Sequence, residues 1–272
     1  MLLFGGMSET VRTGITPIDI GAPEGILRNS FILISGDAGS GKSVVTYYIA
    51  KRFIEMREPV IYVALDDDPF AITDSLKLLN IDLSPAAEGG LIRFIDGFSW
   101  RLGPMRRVHE LVAKEVRTDD PQNIIKALTD LISEMNVSGR GVLIIDSINE
   151  LTFTLDIRGA VNFVKTVRAL TSKARRILAF ATLHTTTSDT VELKRSLEYL
   201  VDGVIDIGID PNLQQLGIPV KQLIVKKMKG VPTTPVWIPY VITGDGIKLV
   251  DQQKLAALLK SRIREAIGTM TT

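Results

Sequence analysis

Gly36-Asp37-Ala38-Gly39-Ser40-Gly41-Lys42-Ser43 is a complete G-x-x-x-x-G-K-[ST] phosphate loop. The apolar run 31–34 in front of it is typical of a buried strand, and residues 44–53 behind it predict a helix. In a strand–loop–helix unit, backbone N–H groups and a helix N-terminus converge on a phosphate chain. A glycine turn without a ligand is the alternative, and the flanks argue against it. The sequence therefore predicts a nucleotide site formed by Gly36, Asp37, Ala38, Gly39, Ser40, Gly41, Lys42, Ser43 and Val44.

A second motif predicts a metal site beside the loop. Asp146 ends the apolar run 142–145, where phosphate-loop enzymes place the Walker B carboxylate. An isolated aspartate at a strand end is more often a helix cap or turn residue, but one following a phosphate loop is better interpreted as a metal residue. We expect ATP with Mg²⁺, Lys42 reaching the β- and γ-phosphates, and Ser43 and Asp146 as metal residues. The next residue, Ser147, disfavours enzymes whose hydrolytic glutamate directly follows Walker B.

Three adjacent carboxylates end another predicted strand, at Asp66-Asp67-Asp68-Pro69. Like charges crowd unfavourably unless a cation or proton relieves them. A helix cap explains Asp68, since a proline follows it, but not all three residues. The hypothesis is that Asp66 or Asp67 orients the attacking water.

Apolar runs alternate with helical patterns along the chain, which predicts an α/β fold with a mostly parallel sheet. After residue 200, closely spaced runs predict an antiparallel extension, and residues 251–268 predict an amphipathic C-terminal helix that docks on its own domain. Its apolar stripe consists of Leu255, Leu258, Leu259, Ile263 and Ile267. The predicted strands are 31–34, 60–65, 91–95, 142–145, 177–183, 203–208, 221–228, 236–242 and 247–250.

Composition is typical of one cytoplasmic domain spanning 1–272. The chain has no cysteine, so disulfides and thiolate metal sites are excluded. A formal net charge of +1 argues neither for nor against nucleic acid. The apolar start, residues 1–7, is too short for a signal peptide, and no 18-residue apolar run predicts a membrane span.

The order of these elements resembles the RecA superfamily, and within it the KaiC-like ATPases and the archaeal paralogues of the RadA recombinase. Five elements carry the resemblance, which covers roughly residues 10 to 250. They are Thr13-Gly14-Ile15, the phosphate loop, the Asp66-Asp67 pair, Asp146 without a following glutamate, and Lys227-Met228-Lys229-Gly230. The resemblance implies a RecA-like fold with an antiparallel β extension at the C-terminal side.

The resemblance also implies roles for particular residues. Asp66 and Asp67 occupy the place of a Glu-Glu pair that supplies the catalytic carboxylate. Lys227 and Lys229 occupy the place of cations that reach the γ-phosphate of a neighbouring subunit. His184 occupies the place of a γ-phosphate sensor, although a histidine at a strand end is also often structural. The resemblance implies a homo-oligomer, a ring or filament, with ATP between subunits.

Two departures from the family pattern predict slow turnover. Aspartate at positions 66 and 67 is about 1.5 Å shorter than glutamate, the length of one carbon–carbon bond. A misplacement near 1 Å can cost about a hundredfold in rate. Lys229 stands in place of arginine and lacks the planar fork that grips a phosphate twice. Binding should suffer less than hydrolysis.

Two basic clusters raise the question of DNA. One is expected on and after the helix that follows Walker B, with Lys165, Arg168 and Arg176 sharing one side of it, and the other in a mobile insertion. Such patches suit a phosphate backbone, but most basic faces are simply solvated, and neither cluster offers many aromatics for stacking. Residues 185–196, which occupy the place of a DNA-contacting loop in recombinases, are polar but hardly basic. The clusters are Arg158, Lys165, Arg168, Lys173, Arg175 and Arg176, and Arg101, Arg106, Arg107, Lys114 and Arg117.

Three hypotheses follow. The first is a slow, self-assembling ATPase whose nucleotide state controls assembly or partner binding. The second is a DNA-associated recombinase paralogue that modulates repair or recombination. The third is a nucleotide-binding scaffold without catalysis.

Overall fold

The computed structural model describes residues 9–270, with side chains described as far as residue 262. The strands are β1 (Thr10–Val11), β2 (Ile26–Leu27), β3 (Phe31–Gly36), β4 (Val60–Ala64), β5 (Ile92–Asp96), β6 (Val112–Glu115), β7 (Val142–Asp146), β8 (Leu178–His184), β9 (Gly203–Ile209), β10 (Lys221–Met228), β11 (Ile238–Thr243) and β12 (Gly246–Leu249). The helices are α1 (Thr16–Gly21), α2 (Lys42–Glu55), α3 (Pro69–Leu78), α4 (Ser84–Glu88), α5 (Pro121–Glu134), α6 (Ile157–Arg168), α7 (Ser188–Leu200), α8 (Pro211–Gln215) and α9 (Gln252–Met270).

Ten of these strands form one sheet in the order β12-β11-β10-β9-β3-β8-β7-β4-β5-β6. The neighbours from β9 to β6 pair in parallel, whereas β9, β10, β11 and β12 pair antiparallel. The α/β class, the mostly parallel sheet and the antiparallel C-terminal extension are therefore confirmed.

The central strands are continuously apolar because both faces of the sheet are covered. Along β3, Ile32 and Ile34 join one buried cluster, which includes Ile49 of α2. Phe31 and Leu33 alternate with them and join a second cluster, which takes in apolar side chains of α5, α6 and α7. Each such side chain contributes about 1.5–3 kcal/mol when it is fully buried.

Strand register brings the ends of five parallel strands to one edge of the sheet. Gly36 pairs with His184, and Ala64 pairs with both Asp96 and Asp146. The segments after β3, β4, β7 and β8 therefore meet at this carboxyl edge, where open α/β sheets bind their ligands.

Two predicted helix starts are confirmed by their caps. The Asp68 carboxylate accepts hydrogen bonds from the N–H groups of Phe70 and Ala71. Asp120 accepts one from the N–H of Gln122, and a proline follows each cap at the first helical position.

The second basic cluster does not form the expected insertion. Two 3₁₀ turns, separated by a kink at Gly103, span Ser99–Met105, and β6 follows as the edge strand of the sheet. β6 was missed because it reads Val-Ala-Lys-Glu, which lacks the apolar run of the buried strands. Its register includes Phe94 opposite Val112 and Asp96 opposite Glu115, so this segment extends the sheet.

The first basic cluster also differs from its prediction. α6 ends at Arg168, a π-helical turn spans Ala169–Lys173, and Arg176 lies beyond it in a left-handed conformation with φ of 53°. Lys165, Arg168 and Arg176 therefore do not share one side of one helix. Most of the stretch 185–196 is not a loop either, because α7 begins at Ser188.

The C-terminal helix is present but docks only in part. Up to residue 262, Leu255 and Leu259 are half-buried, and Leu258 remains 53% exposed beside a groove of about 510 Å³. Residues 1–7 and the side chains of Ile263 and Ile267 lie outside the described residues. Of the helices described between residues 9 and 270, none is both long and apolar enough to cross a membrane.

Candidate functional site

The phosphate loop has the backbone that its glycines predict. β3 ends at Gly36, where a Cβ would collide with the carbonyl oxygen of Ile207 in β9. Gly41, with φ of 102°, turns the chain into α2, which begins at Lys42. The N-terminus of α2 thus opens directly at the loop, in the geometry that binds phosphate groups.

Lys42 is folded back onto its own loop. Its ammonium donates hydrogen bonds of 2.8 Å to the carbonyl oxygens of both Gly36 and Asp37. The residue is only 2% exposed, and this burial lowers the pKa of Lys42 to about 8, although nearby carboxylates, Asp146 first, oppose the shift. Lys42 is therefore a buried cation at the position where phosphate is expected.

Asp146 is fixed at the end of β7 by two hydroxyl groups. The Tyr62 hydroxyl donates to one carboxylate oxygen at 2.8 Å, and the Thr182 hydroxyl donates to the other at 2.5 Å. Tyr62 also lies 3.2 Å from the hydroxyl of Thr46, which donates to the carbonyl of Ser43. This chain of contacts links Asp146 to Ser43, the two residues predicted to hold a metal.

Hydroxyl and carboxylate oxygens are the ligands that Mg²⁺ prefers, and it usually takes one or two from the protein and the rest from phosphates and water. Within the described residues, no group of three His, Cys, Asp or Glu side chains is placed to hold a metal alone. Ser43 and Asp146 therefore fit a magnesium ion that arrives with a nucleotide. Tyr62 and Thr182, which orient Asp146, were missed, and their only sequence signal is a hydroxyl within an apolar run.

The three aspartates after β4 have different surroundings. Asp68 caps α3, which confirms its interpretation as a helix cap. Asp66 accepts a 2.6 Å hydrogen bond from Ser147 and lies 3.3 Å from Nε2 of His184. Partial burial opposes its ionisation, but these two hydrogen bonds outweigh burial and lower the pKa of Asp66.

Asp67 differs from Asp66 in having no side-chain donor among the contacts of the described residues. Its carboxylate accepts the backbone N–H of Asp68 at 2.9 Å. Burial raises the pKa of Asp67, and the neighbouring aspartate charges add to that effect against the N–H of Asp68. A carboxylate with a raised pKa holds a proton more readily, which is what a general base needs.

His184 ends β8 beside the carboxylates. Asn149 fixes its backbone, since the amide oxygen accepts the His184 N–H at 2.7 Å and the amide nitrogen donates to its carbonyl at 3.0 Å. The next residue, Thr185, donates its N–H to the Gly36 carbonyl, which connects this strand end to the phosphate loop. Asn149 had no sequence signal.

Lys227 and Lys229 do not lie with the rest of the site. Lys227 pairs with Val204 near the start of β9, at the edge of the sheet opposite the phosphate loop. Its ammonium donates to the carbonyl of Glu198, and Lys229 lies 3.9 Å from the buried carboxylate of Asp202. These cations therefore cannot serve the loop of their own chain.

The antiparallel extension also contacts the phosphate loop. Lys221, the first residue of β10, donates a 2.6 Å hydrogen bond from its ammonium to the carbonyl of Gly39. The Tyr240 hydroxyl donates to the carbonyl of Ser40 at 3.3 Å. Neither residue belongs to a motif, so neither has a signal in the sequence.

Acids pair with most of the second basic cluster and with two residues of the first, Arg168 and Lys173. Arg106 pairs with Glu115, Lys114 with Glu134, Arg117 with Asp119, Arg101 with Glu150, and both Arg168 and Lys173 with Asp202. The guanidinium carbons of Arg101 and Arg117 lie 4.6 and 4.7 Å from the Trp100 ring, so cations already cover this aromatic. These pairs reduce the charge that either cluster presents to a phosphate backbone.

A family model described as "ATPase: KaiC" matches residues 11–254. The chain is similar to UPF0273 proteins of Pyrococcus horikoshii, at 25% identity over 247 residues, and of Methanocaldococcus jannaschii, at 27% over 245 residues. These matches cover 89% and 88% of this chain and 94% and 95% of the relatives. The solved structure of a KaiC-like protein from P. horikoshii matches the fold with a TM-score of 0.71 and 18% identity, covering 90% of this chain and all of that one. Because the family model spans most of its length, the chain belongs to the KaiC family of ATPases.

Proposed function

We propose that this protein binds ATP with Mg²⁺ and hydrolyses it slowly, and that ATP lies between subunits of a homo-oligomer. The observation that carries the proposal is the strand register, which places the phosphate loop, Asp146, Asp66 and Asp67 at one edge of the sheet. That edge brings together the glycine-rich loop, the Ser43 hydroxyl, the Asp146 carboxylate and the Asp67 carboxylate, whose pKa is raised.

In the proposed reaction, the oxygen of a water molecule attacks the γ-phosphorus. The bond from that phosphorus to the β–γ bridging oxygen breaks, and ADP leaves with the electron pair. The Asp67 carboxylate accepts the proton of the attacking water, while Asp66, held by Ser147 and His184, keeps the local geometry fixed. Magnesium held by Ser43 and Asp146 would neutralise charge on the β- and γ-phosphates.

The positions of Lys227 and Lys229 in the sheet support a nucleotide site that is shared between two subunits. Lys227 and Lys229 lie at the end of the sheet opposite their own phosphate loop, so the loop that they can reach is that of a neighbouring subunit. A neighbouring subunit that presents this edge to the loop would complete the site in trans. Assembly of this kind makes nucleotide state a control on oligomerisation, since ATP bridges two chains.

Steady-state hydrolysis of Mg-ATP, with and without single-stranded DNA, tests the proposal. We expect a rate well below the enzyme median of about 10 s⁻¹, because Asp67 is shorter than the glutamate of the family pattern. We expect no change with DNA, because acids already pair with Arg106, Lys114 and Arg117 of the second basic cluster. DNA stimulation would favour a DNA-associated recombinase paralogue, and ATP binding without turnover would leave a nucleotide-binding scaffold.

Lys227→Ala should slow turnover only in assembled protein. Lys227 reaches a phosphate only across a subunit interface. The substitution should therefore leave the turnover of dilute monomer unchanged. Turnover is measured across protein concentrations while light scattering follows assembly, with Lys226→Ala as the matched control one position away. Lys226 pairs with Glu198 at 2.8 Å in its own chain. An equal loss in monomer and oligomer would contradict the contact in trans.

A further inference from the structure

Lys221 places a second ammonium group against the phosphate loop. Besides its 2.6 Å hydrogen bond to the Gly39 carbonyl, its Cδ lies 3.8 Å from the position that a Cβ of Gly41 would take. The stem therefore runs along the loop where the chain turns into α2. Lys42 lies on the same loop, bonded to the carbonyls of Gly36 and Asp37.

This ammonium bonds to a backbone carbonyl but has no ion-pair partner among the described residues. Within the described part of the chain, no carboxylate lies within the 4.0 Å of an ion pair from Lys221. By contrast, Lys226 on the same strand contacts both Glu198, at 2.8 Å, and Asp206, at 3.5 Å. Burial lowers the pKa of Lys221, and its charge contributes to lowering the pKa of Lys42. Two mutually repelling cations therefore share one loop.

Asp146, Asp37 and Asp66 offset part of the charge at Lys42, and Lys221 adds positive charge to the loop that an anion bound there would relieve. A polyphosphate chain in the loop would lie within the field of both ammonium groups. It would also offer charge-assisted hydrogen bonds in place of those to the loop carbonyls.

We propose that Lys221 is a second phosphate-binding lysine of the nucleotide site, acting within the chain that supplies the loop. The inference rests on the proposed ATP binding and adds a residue to it. Lys221 differs from Lys227 and Lys229, which lie at the opposite edge of the sheet. The antiparallel extension therefore contributes one cation in cis at the start of β10 and two in trans at its end.

Calorimetric titration with Mg-ATP and with inorganic tripolyphosphate tests the assignment. Lys221→Met removes the charge but keeps an apolar stem against Gly41. We expect it to weaken binding of both ligands by about 10- to 50-fold, as one charge-assisted hydrogen bond would. Lys221→Arg should restore most of the affinity, and Lys226→Met should stay within about twofold of wild type because its charge is already paired.

The possible outcomes distinguish a failure of the Lys221 assignment from a failure of the proposed ATP binding. If wild-type protein binds ATP and Lys221→Met binds it with the same affinity, the role of Lys221 is overturned. The proposed function then still stands. Absence of ATP binding in wild type would overturn both. A loss in Lys221→Met that Lys221→Arg does not restore, together with a lower melting temperature of the nucleotide-free variant, would show a structural role and also overturn the proposal.

Discussion

Asp67→Ala should abolish ATP turnover while leaving ATP affinity within about twofold of wild type. General-base catalysis typically contributes about 10²- to 10⁴-fold in rate. Because turnover is already expected to be slow, such a loss would bring the rate to background. ATP affinity should be retained because the phosphate loop and Lys42, which bind the phosphates, follow β3, whereas Asp67 follows β4. The measurements are single-turnover hydrolysis and calorimetric titration of the same protein.

The choice of Asp67 over Asp66 follows from their hydrogen bonds. Asp66 receives donors from Ser147 and His184, which stabilise its charged form and lower its pKa. Accepting a proton there would disrupt contacts that already exist. The pKa of Asp67 is raised, chiefly by burial, so protonation costs less.

Two further variants make the assignment falsifiable. Asp66→Asn keeps an acceptor for Ser147 and should lower the rate by less than about tenfold if Asp66 only positions its neighbours. Asp67→Glu should retain or increase turnover, since the longer side chain brings the carboxylate about 1.5 Å further out. Loss of turnover in Asp66→Asn with an active Asp67→Ala would reverse the two roles.

The features that could be predicted are those whose signal is local. Eight consecutive residues define the phosphate loop, and the fully apolar runs reveal strands buried on both faces. β10 was predicted with its observed bounds, 221–228, because a proline precedes it and a glycine follows it shortly. Residues at the ends of these strands could be predicted to lie together, since a parallel sheet has the carboxyl ends of its strands at one edge. They are Asp66, Asp67, Asp146 and His184.

The features that could not be predicted depend on contacts between distant parts of the chain. Lys221 meets Gly39 across 182 positions of sequence, and nothing in its neighbourhood distinguishes it from other lysines. β6 lies at the sheet edge and needs no apolar run. Ion pairs such as Lys114 with Glu134 decide how much of a basic cluster remains uncompensated, and a count of basic residues ignores such partners.

Lys42→Ala should abolish measurable ATP binding. The substitution removes the buried cation that bonds to two of the loop carbonyls, so a triphosphate would meet only backbone N–H groups and Lys221. Hydrogen bonds to charged groups contribute about 1.5–3 kcal/mol each, and a lysine bridging two phosphates makes several. Calorimetry checks the loss, and the melting temperature of the nucleotide-free protein is the control for folding. Unchanged ATP affinity in Lys42→Ala would refute the assignment of the phosphate loop.

The lowered pKa of Lys42 predicts that ATP affinity of the wild-type protein depends on pH if Lys42 contacts the bound phosphates. With a pKa of about 8 in the nucleotide-free state, Lys42 is mostly charged at pH 7 and mostly neutral at pH 9. Because the triphosphate favours the charged form, binding above pH 8 takes up a proton, and affinity falls as the pH rises through 8. Titrations at pH 8.5 in two buffers of different ionisation enthalpy measure this uptake. Lys221→Met should bind more weakly yet still take up a proton from the buffer, since Lys42 remains the group that accepts it. No proton uptake in either protein would mean that Lys42 does not contact the bound phosphates.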